Sequence, residues 1–324
     1  MQNGDEANSM LKLDQAHAAC SEDRIERHKS IMIVVTTPTG HIGSQLVPHL
    51  LAAGARVRVI AREPEKLSAE VQSRVEVVQG STDDIKVLSE ALSDADALFW
   101  VVPPPFQHMD LNAYMLQFTE PACEAITAKG VKRVVAVSSL GRGLAKNALL
   151  LPAFAMDEMI ERTGVCYRAL WCPGFMENML RQVQPIKHQG MFYGLYRPDV
   201  KTPLVATSDI AASAARLLLD ERWTGQGGLA VLGPEDLSCN EMACIMGEVL
   251  GKPFRYQQIP PDTFKMQLMQ DGASEAMAQG LVDMAAEVNE HGIHNAEPRT
   301  PANTTPITFR TWCDQVLKPA VLSA

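Results

Sequence analysis

The chain has 324 residues, of which 46% are hydrophobic and 21% are charged, a composition that excludes a mostly disordered or fibrous protein. Its formal net charge of −9 argues against nucleic acid as a partner, because DNA-binding proteins usually carry a clustered basic face. The cysteines include no C-x-x-C pair, so we predict no metal site and expect reduced thiols in a cytoplasmic protein.

Residues 1–30 are polar and charged. They lack the apolar core of a secretory signal or membrane anchor, so we expect a flexible N-terminal tail. The longest apolar runs farther along, such as residues 97–105, are much shorter than the roughly 20 residues that span a bilayer. We therefore expect no membrane association.

From residue 31 onward, short β-branched apolar runs alternate with amphipathic stretches, a pattern typical of βαβ units around a parallel sheet. The predicted strands are residues 31–36, 56–61, 75–79, 97–102, 133–138, 165–170 and 229–232. The predicted helices are residues 41–53, 82–92, 112–129, 154–162, 208–219, 238–250 and 274–289.

These elements predict an α/β fold with a doubly wound parallel sheet. A Rossmann domain at residues 31–172 precedes a smaller C-terminal α/β substrate lobe at residues 173–324. We expect the strand near residues 229–232 to return from this lobe to the sheet.

The first predicted strand runs directly into a glycine-containing turn and then into a helix. This arrangement places backbone N–H groups and the positive helix end against a pyrophosphate. Gly40 removes a side chain where the phosphates approach, Gly43 lets the helix lie close to the sheet, and Thr39 offers a hydroxyl. Thr37 stands where the usual G-x-x-G-x-x-G pattern has its first glycine, so we expect a negative φ there. The predicted dinucleotide contacts in this loop are Thr37, Thr39, Gly40, His41, Ile42 and Gly43.

The second predicted strand is followed by Arg62, where an Asp or Glu would accept the ribose hydroxyls of NAD. Arg62 can pair with a 2′-phosphate, with Lys66 one helical turn farther on. We therefore predict NADP(H) as the preferred cofactor. NAD(H) remains the alternative, in which Arg62 is a solvated surface residue and Glu63 binds the ribose.

The loops after the later strands carry the remaining predicted cofactor contacts. The segment after the third strand usually covers the adenine in such folds. The residues expected there are Gly80, Ser81 and Thr82. Those expected on the loops after the fourth, fifth and sixth strands are Val102, Pro103, Ser138, Pro173 and Phe175.

Several stretches resemble the NmrA-like family of atypical short-chain dehydrogenase/reductases. They are residues 37–43, 61–62, 134–139, 173–178, 207–211, 232–238 and 304–309, the last resembling the family's closing helix. The resemblance implies a Rossmann domain, a small C-terminal lobe and a nicotinamide cofactor in the cleft between them. Family members include NAD(P)H-dependent reductases and redox sensors that bind the cofactor without turnover.

A standard short-chain dehydrogenase pairs a serine after the fifth strand with a Tyr-x-x-x-Lys on the next helix. Here Ser138 and Ser139 are present, but the next tyrosine is Tyr167, and Ala153 stands where NmrA-like reductases often carry a lysine. Without a fixed acid, a quinone or conjugated acceptor is the easier substrate, because its reduction yields a stabilised anion. Our candidate catalytic residues are His108, in the loop after the fourth strand, and Ser138.

Two functions follow as hypotheses. The first is an oxidoreductase that transfers hydride from NAD(P)H to a small apolar conjugated substrate. The second is a non-catalytic sensor that responds to NADP(H) and acts through a protein partner. A third, an epimerase or dehydratase relative, has no specific feature in its favour.

Overall fold

The computed structural model describes residues 31–146, 149–295 and 297–323, and the predicted tail at residues 1–30 lies outside them. The strands are β1 (Met32–Thr36), β2 (Arg56–Ala61), β3 (Glu76–Gln79), β4 (Ala97–Trp100), β5 (Arg133–Ser139), β6 (Cys166–Cys172), β7 (Gly174–Phe175), β8 (Met191–Gly194), β9 (Thr202–Val205), β10 (Gln226–Ala230), β11 (Asp236–Leu237) and β12 (Arg255–Gln258).

The helices are α1 (Gly43–Ala52), α2 (Ala69–Gln72), α3 (Ile85–Ala91), α4 (Leu111–Lys129), α5 (Leu151–Arg162), α6 (Val183–Gln189), α7 (Thr207–Leu219), α8 (Cys239–Leu250), α9 (Pro261–Gln270), α10 (Glu275–His291), α11 (Phe309–Trp312) and α12 (Lys318–Ser323). Segments of 3-10 helix lie at Pro64–Lys66, Met176–Gln182 and Ile293–Asn295.

Seven strands form one sheet in the order β10-β6-β5-β4-β1-β2-β3. Every neighbouring pair in this sheet is parallel. The strand order reverses between β1 and β4, which confirms the doubly wound prediction. A crevice therefore forms outside the C-terminal ends of β1 and β4, the usual place for a ligand in such a sheet.

Both faces of the sheet are covered by helices. In β1, Ile33 and Val35 join the apolar cluster that includes residues of α1 and α7, whereas Met32 and Val34 join the cluster of α3, α4 and α5. A strand buried on both faces reads as a continuous apolar run. This is why the central strands were predictable.

The edge strand β10 pairs in parallel with β6, so the chain does return to the main sheet after α7. It begins at Gln226, earlier than the predicted run at residues 229–232. The prediction missed its first residues because Gly227 and Gly228 add nothing to an apolar pattern. A Cβ on Gly228 would lie 2.0 Å from an atom of the Trp171 ring. The indole of β6 thus takes the space that a side chain at position 228 would need.

The smaller lobe contains two short sheets, with strand orders β11-β9-β7 and β12-β8. Its apolar core packs Phe309 and Trp312 against Ile186 and Met246. The closing helix expected at residues 304–309 starts only at Phe309. Within the described ranges, no helix has the length and apolar character needed to cross a membrane.

Two helices of this lobe were predicted from their apolar periodicity, and their first residues explain where they begin. At α8 the Ser238 hydroxyl accepts a hydrogen bond from the Glu241 backbone N–H, and the Glu241 carboxylate accepts one from the Ser238 N–H. At α10 the Ser274 hydroxyl accepts one from the Met277 N–H. Both serines satisfy N–H groups that have no partner inside the helix.

Candidate functional site

The turn between β1 and α1 has the geometry of a phosphate loop. Its tightness comes from a hydrogen bond that the Gly40 N–H donates to the Thr37 carbonyl, 3.0 Å away. A Cβ on Gly43 would lie 2.2 Å from that same carbonyl oxygen and 2.9 Å from the Pro38 Cα. Gly43 is therefore required by the close approach of the turn to the first residue of α1.

The expectation of a negative φ at Thr37 was wrong. Thr37 has a φ of 49°, in the left-handed region that costs a β-branched residue roughly 1–2 kcal/mol. The turn imposes this conformation because the Thr37 carbonyl must point at the Gly40 N–H. Thr37 thus adopts, without a glycine, the left-handed conformation that glycine takes most readily.

The first turn of α1 is open to an anion. No side chain caps the helix at Ile42, and no acidic residue lies in its first turn. Thr39, Gly40 and His41 are exposed, whereas Ile42 and Gly43 are buried. Uncapped N–H groups and the positive end of the helix dipole favour a phosphate here.

The adenosine end of the crevice is expected at the C-terminal ends of β2 and β3. Lys66 is paired with Glu63, with 2.6 Å between Nζ and Oε1. Arg62 has no carboxylate within ion-pair distance among the described residues. Burial raises the pKa of Tyr114 on α4, and this rise is opposed by the charge of Arg62 and reinforced by Asp83. The Arg62 side chain is thus close enough to α4 to influence a group at the rim of the crevice.

The predicted adenine contacts follow β3 directly. The Gly80 N–H donates to the Ala61 carbonyl, which extends the pairing with β2 and brings position 80 beside the end of that strand. Thr82 is buried, and Gly80 and Ser81 are half-buried.

The nicotinamide end is expected where the loops after β4 and β6 flank the C-terminal end of β5, since β5 lies between those strands. Val102 and Pro103 follow β4, and Pro173 and Phe175 follow β6. Pro173 is buried, and the other three are half-buried. The structure therefore brings the predicted residues of both loops to one edge of the sheet, beside Ser138.

The Ser138 side chain belongs to a buried polar cluster. Its hydroxyl donates to Asp157 Oδ2 on α5 at 2.7 Å, and the Tyr167 hydroxyl donates to Asp157 Oδ1 at 2.6 Å. Arg142 Nη1 lies 3.5 Å from Asp157 Oδ2. Burial raises the pKa of Asp157 to about 6, opposed by the two hydroxyl hydrogen bonds and by Arg142. Burial and the neighbouring Asp157 raise the pKa of Tyr167 well above its usual range.

Asp157 was missed from the sequence, although a signal was present: it is a carboxylate within the helix predicted at residues 154–162. Ser139 follows Ser138 on β5 and is half-buried. Because successive strand residues face opposite sides, the Ser139 side chain leaves the sheet away from the Asp157 cluster. Ser139 is thus a second serine at the end of this strand that could contact a bound substrate.

His108 lies on the rim of the cleft. Its Nδ1 is 2.8 Å from the Asp110 carbonyl oxygen, and its ring is 5.2 Å from the Tyr114 ring, centroid to centroid. The Asp110 N–H also lies 3.3 Å from Nδ1, so Nδ1 faces both a donor and an acceptor of the Asp110 backbone, and either ring nitrogen can carry the proton.

Known proteins resemble this chain along most of its length. The NmrA-like family matches residues 29–313. A (4-alkanoyl-5-oxo-2,5-dihydrofuran-3-yl)methyl phosphate reductase from Streptomyces griseus is 30% identical over 240 residues, which cover 74% of this chain and 80% of that protein.

Two solved structures share the fold. The triphenylmethane reductase of Citrobacter sp., complexed with NADP(H), superposes with a TM-score of 0.74 and 19% identity, covering 87% of this chain and 99% of that one. An NADPH-dependent quinone oxidoreductase from Escherichia coli, complexed with NADPH, gives a TM-score of 0.73 and 21% identity, covering 90% and 99%. The fold, the phosphate-loop geometry and the family match together establish that this chain belongs to the NmrA-like family.

Proposed function

We propose that the chain is an NADPH-dependent oxidoreductase that transfers hydride to a small apolar conjugated acceptor, such as a quinone or an enone. Relatives named as reductases support this reaction class. The observation that carries the choice of acceptor is the Asp157 cluster. The hydroxyls of Ser138 and Tyr167 both donate to one buried carboxylate, so neither is free to protonate a substrate.

This arrangement suits an acceptor that does not need a fixed acid. Hydride transfer to an isolated carbonyl leaves an alkoxide that must be protonated at once. A quinone or enone gives a delocalised anion, which takes its proton from water. His108 and Ser139 lie at the same end of the cleft as candidates for orienting the acceptor oxygen.

The residues present fit a bound dinucleotide phosphate. The exposed backbone at Thr39 and His41 and the N-terminus of α1, which no side chain caps, would hold the pyrophosphate. Arg62 would hold the 2′-phosphate, and the predicted contacts after β3, β4 and β6 would line the rest of the cofactor. When bound, NADPH supplies the hydride, and the protein supplies orientation and exclusion of water.

Arg62 supports NADPH over NADH. Its guanidinium has no carboxylate partner among the described residues, whereas Glu63, the competing ribose ligand, is held by Lys66. A bidentate guanidinium–phosphate contact is charge-assisted on both sides. NADH use through a Glu63 freed from Lys66 remains the alternative arrangement.

Absorbance at 340 nm tests both parts of this proposal. We expect steady NADPH consumption with 1,4-naphthoquinones and with conjugated enones. Arg62→Gln should raise the KM for NADPH on the order of 10- to 100-fold and leave the KM for NADH unchanged. Arg222→Gln is the matched control, because this exposed arginine pairs with Asp220 after α7. Tight NADPH binding without turnover of any acceptor would contradict the proposed oxidoreductase function.

The missing Tyr-x-x-x-Lys pair favours one other function, a sensor that binds NADP(H) and changes its affinity for a protein partner. Such a switch requires the oxidised and reduced cofactors to bind with different affinities. Calorimetry that gives equal Kd values for NADP⁺ and NADPH would eliminate it.

A further inference from the structure

A side-chain contact joins the two segments that flank the C-terminal end of β5. The loop after β4 and the 3-10 segment Met176–Gln182 approach from either side, since β5 lies between β4 and β6. The Arg181 guanidinium lies over the Phe106 ring, with 5.6 Å between Cζ and the ring centroid. This is within the range of a cation–π contact. Arg181 and Phe106 thus form part of the rim at the end where the acceptor is expected.

The Phe106 side of this contact is fixed by the turn before α10. The Ser274 N–H donates to the Phe106 carbonyl at 2.9 Å, and the Ser274 hydroxyl donates to the His108 carbonyl at 2.7 Å. One residue of the C-terminal lobe therefore secures the loop at two points.

The Arg181 side is fixed at both ends of its 3-10 segment. Near the start, the buried Glu177 carboxylate accepts hydrogen bonds from the Thr207 N–H at 3.0 Å and from Trp312 Nε1 at 3.1 Å. At the end, the Gln182 amide exchanges two hydrogen bonds with the Tyr193 backbone, at 2.8 and 2.9 Å. Arg181 is an exposed residue on an anchored backbone, which suits a recognition residue because little ordering is left for binding.

The Arg181 charge is not neutralised within the described ranges, where no carboxylate lies within 4.0 Å of it. Two other arginines of the same lobe are paired, Arg299 with Asp236 and Arg310 with Glu248. The Phe106 ring covers the guanidinium but accepts none of its N–H groups as a carboxylate would. Those donors are free for a planar oxyanion, which a guanidinium binds in bidentate fashion.

We propose that Arg181 is a specificity residue that binds an oxyanion, such as a carboxylate, sulfonate or phosphate, carried by the conjugated acceptor. This inference rests on the proposed reductase function. In this arrangement Phe106 holds the guanidinium and presents its ring to the apolar part of the same substrate. The acceptor is then amphipathic, with a flat conjugated body toward the β5 end and a charged group at the rim.

A pair of acceptors that differ in one charged group tests this on the full chain with saturating NADPH. The pair is 1,2-naphthoquinone and 1,2-naphthoquinone-4-sulfonate. For Arg181→Gln we expect the KM of the sulfonate to rise on the order of tenfold, with kcat little changed and the neutral quinone unaffected. Arg181→Lys should recover part of this loss, and Arg222→Gln should behave as wild type. Comparing variants cancels the effect of the sulfonate on quinone reactivity.

Equal changes for both quinones, or a raised KM for NADPH in Arg181→Gln, would overturn the proposal. A second measurement separates it from the reductase function. Calorimetry with naphthalene-2-sulfonate on the NADP⁺-loaded protein should give binding that weakens on the order of tenfold in Arg181→Gln. Unchanged binding refutes the anion site whether or not any acceptor is reduced. Arg181-dependent binding without turnover of either quinone supports the anion site and refutes the reductase function alone.

Discussion

Replacing Asp157 with asparagine should remove a pH-dependent loss of stability. Burial raises the pKa of this carboxyl from 3.8 to about 6. Between these two values the folded chain keeps a proton that the unfolded chain has lost, so the free energy of unfolding falls as pH rises through the window. Two pKa units correspond to about 3 kcal/mol. The loss begins near pH 3.8 and is nearly complete by about pH 7.

Asparagine cannot ionise, and it has nearly the same shape. Its amide oxygen can still accept a hydrogen bond from Ser138 or Tyr167. We therefore expect the stability of Asp157→Asn relative to wild type to improve by about 2.5 kcal/mol between pH 4.0 and pH 7.5, whatever its value at pH 4.0. All other titrating groups are common to both proteins, so their contributions cancel in this comparison.

Equilibrium urea unfolding at the two pH values measures the effect. Glu158→Gln is the matched control, because Glu158 is the next residue of α5, has a side chain that is 52% exposed and also faces Arg142. Its stability relative to wild type should change by less than about 0.5 kcal/mol between the same pH values. If the difference between Asp157→Asn and wild type is the same at pH 4.0 and 7.5, the ionisation of Asp157 is not linked to folding.

Two further predictions concern the phosphate loop. Gly43→Ala should weaken NADPH binding at least tenfold and lower stability by about 1–3 kcal/mol, because its Cβ would meet the backbone of Thr37 and Pro38 at 2.2 and 2.9 Å; calorimetry and thermal unfolding measure the two effects, and a wild-type Kd would contradict the tight turn. Thr37→Gly should raise stability by about 1 kcal/mol, because the relief of the left-handed φ exceeds the added entropy of the unfolded chain; a lower melting temperature for this variant would show that the Thr37 side chain contributes more than its backbone strain costs.

The Rossmann half was predictable because its signals are local. The central strands are apolar on both faces, and the phosphate loop joins a buried strand to a helix within a few residues. Even so, the sequence could not give the conformation of Thr37. That φ is set by the hydrogen bond to Gly40 and by the space at Gly43, and a propensity argument for threonine predicts the opposite sign.

The smaller lobe was less predictable because its elements depend on distant partners. The strands β7 and β11 have two residues each and exist only through their pairing with β9. No apolar periodicity can identify a strand of that length. For the same reason, the sequence could not predict the contact of Arg181 with Phe106 or the hydrogen bonds of Asp157 with Ser138 and Tyr167. These contacts join elements whose neighbourhood is decided by the sheet order.

The hydrogen bond from Trp312 Nε1 to Glu177 can form only after the ribosome has made both residues. The two residues are 135 positions apart, and translation adds roughly 5–20 residues each second, so the ribosome needs roughly 7–27 s to make the tryptophan after it has made the glutamate. During that interval the Glu177 carboxylate lacks one of its two donors and can remain hydrated. The rim that carries Arg181 is therefore completed late in synthesis, after the whole dinucleotide-binding half has been translated.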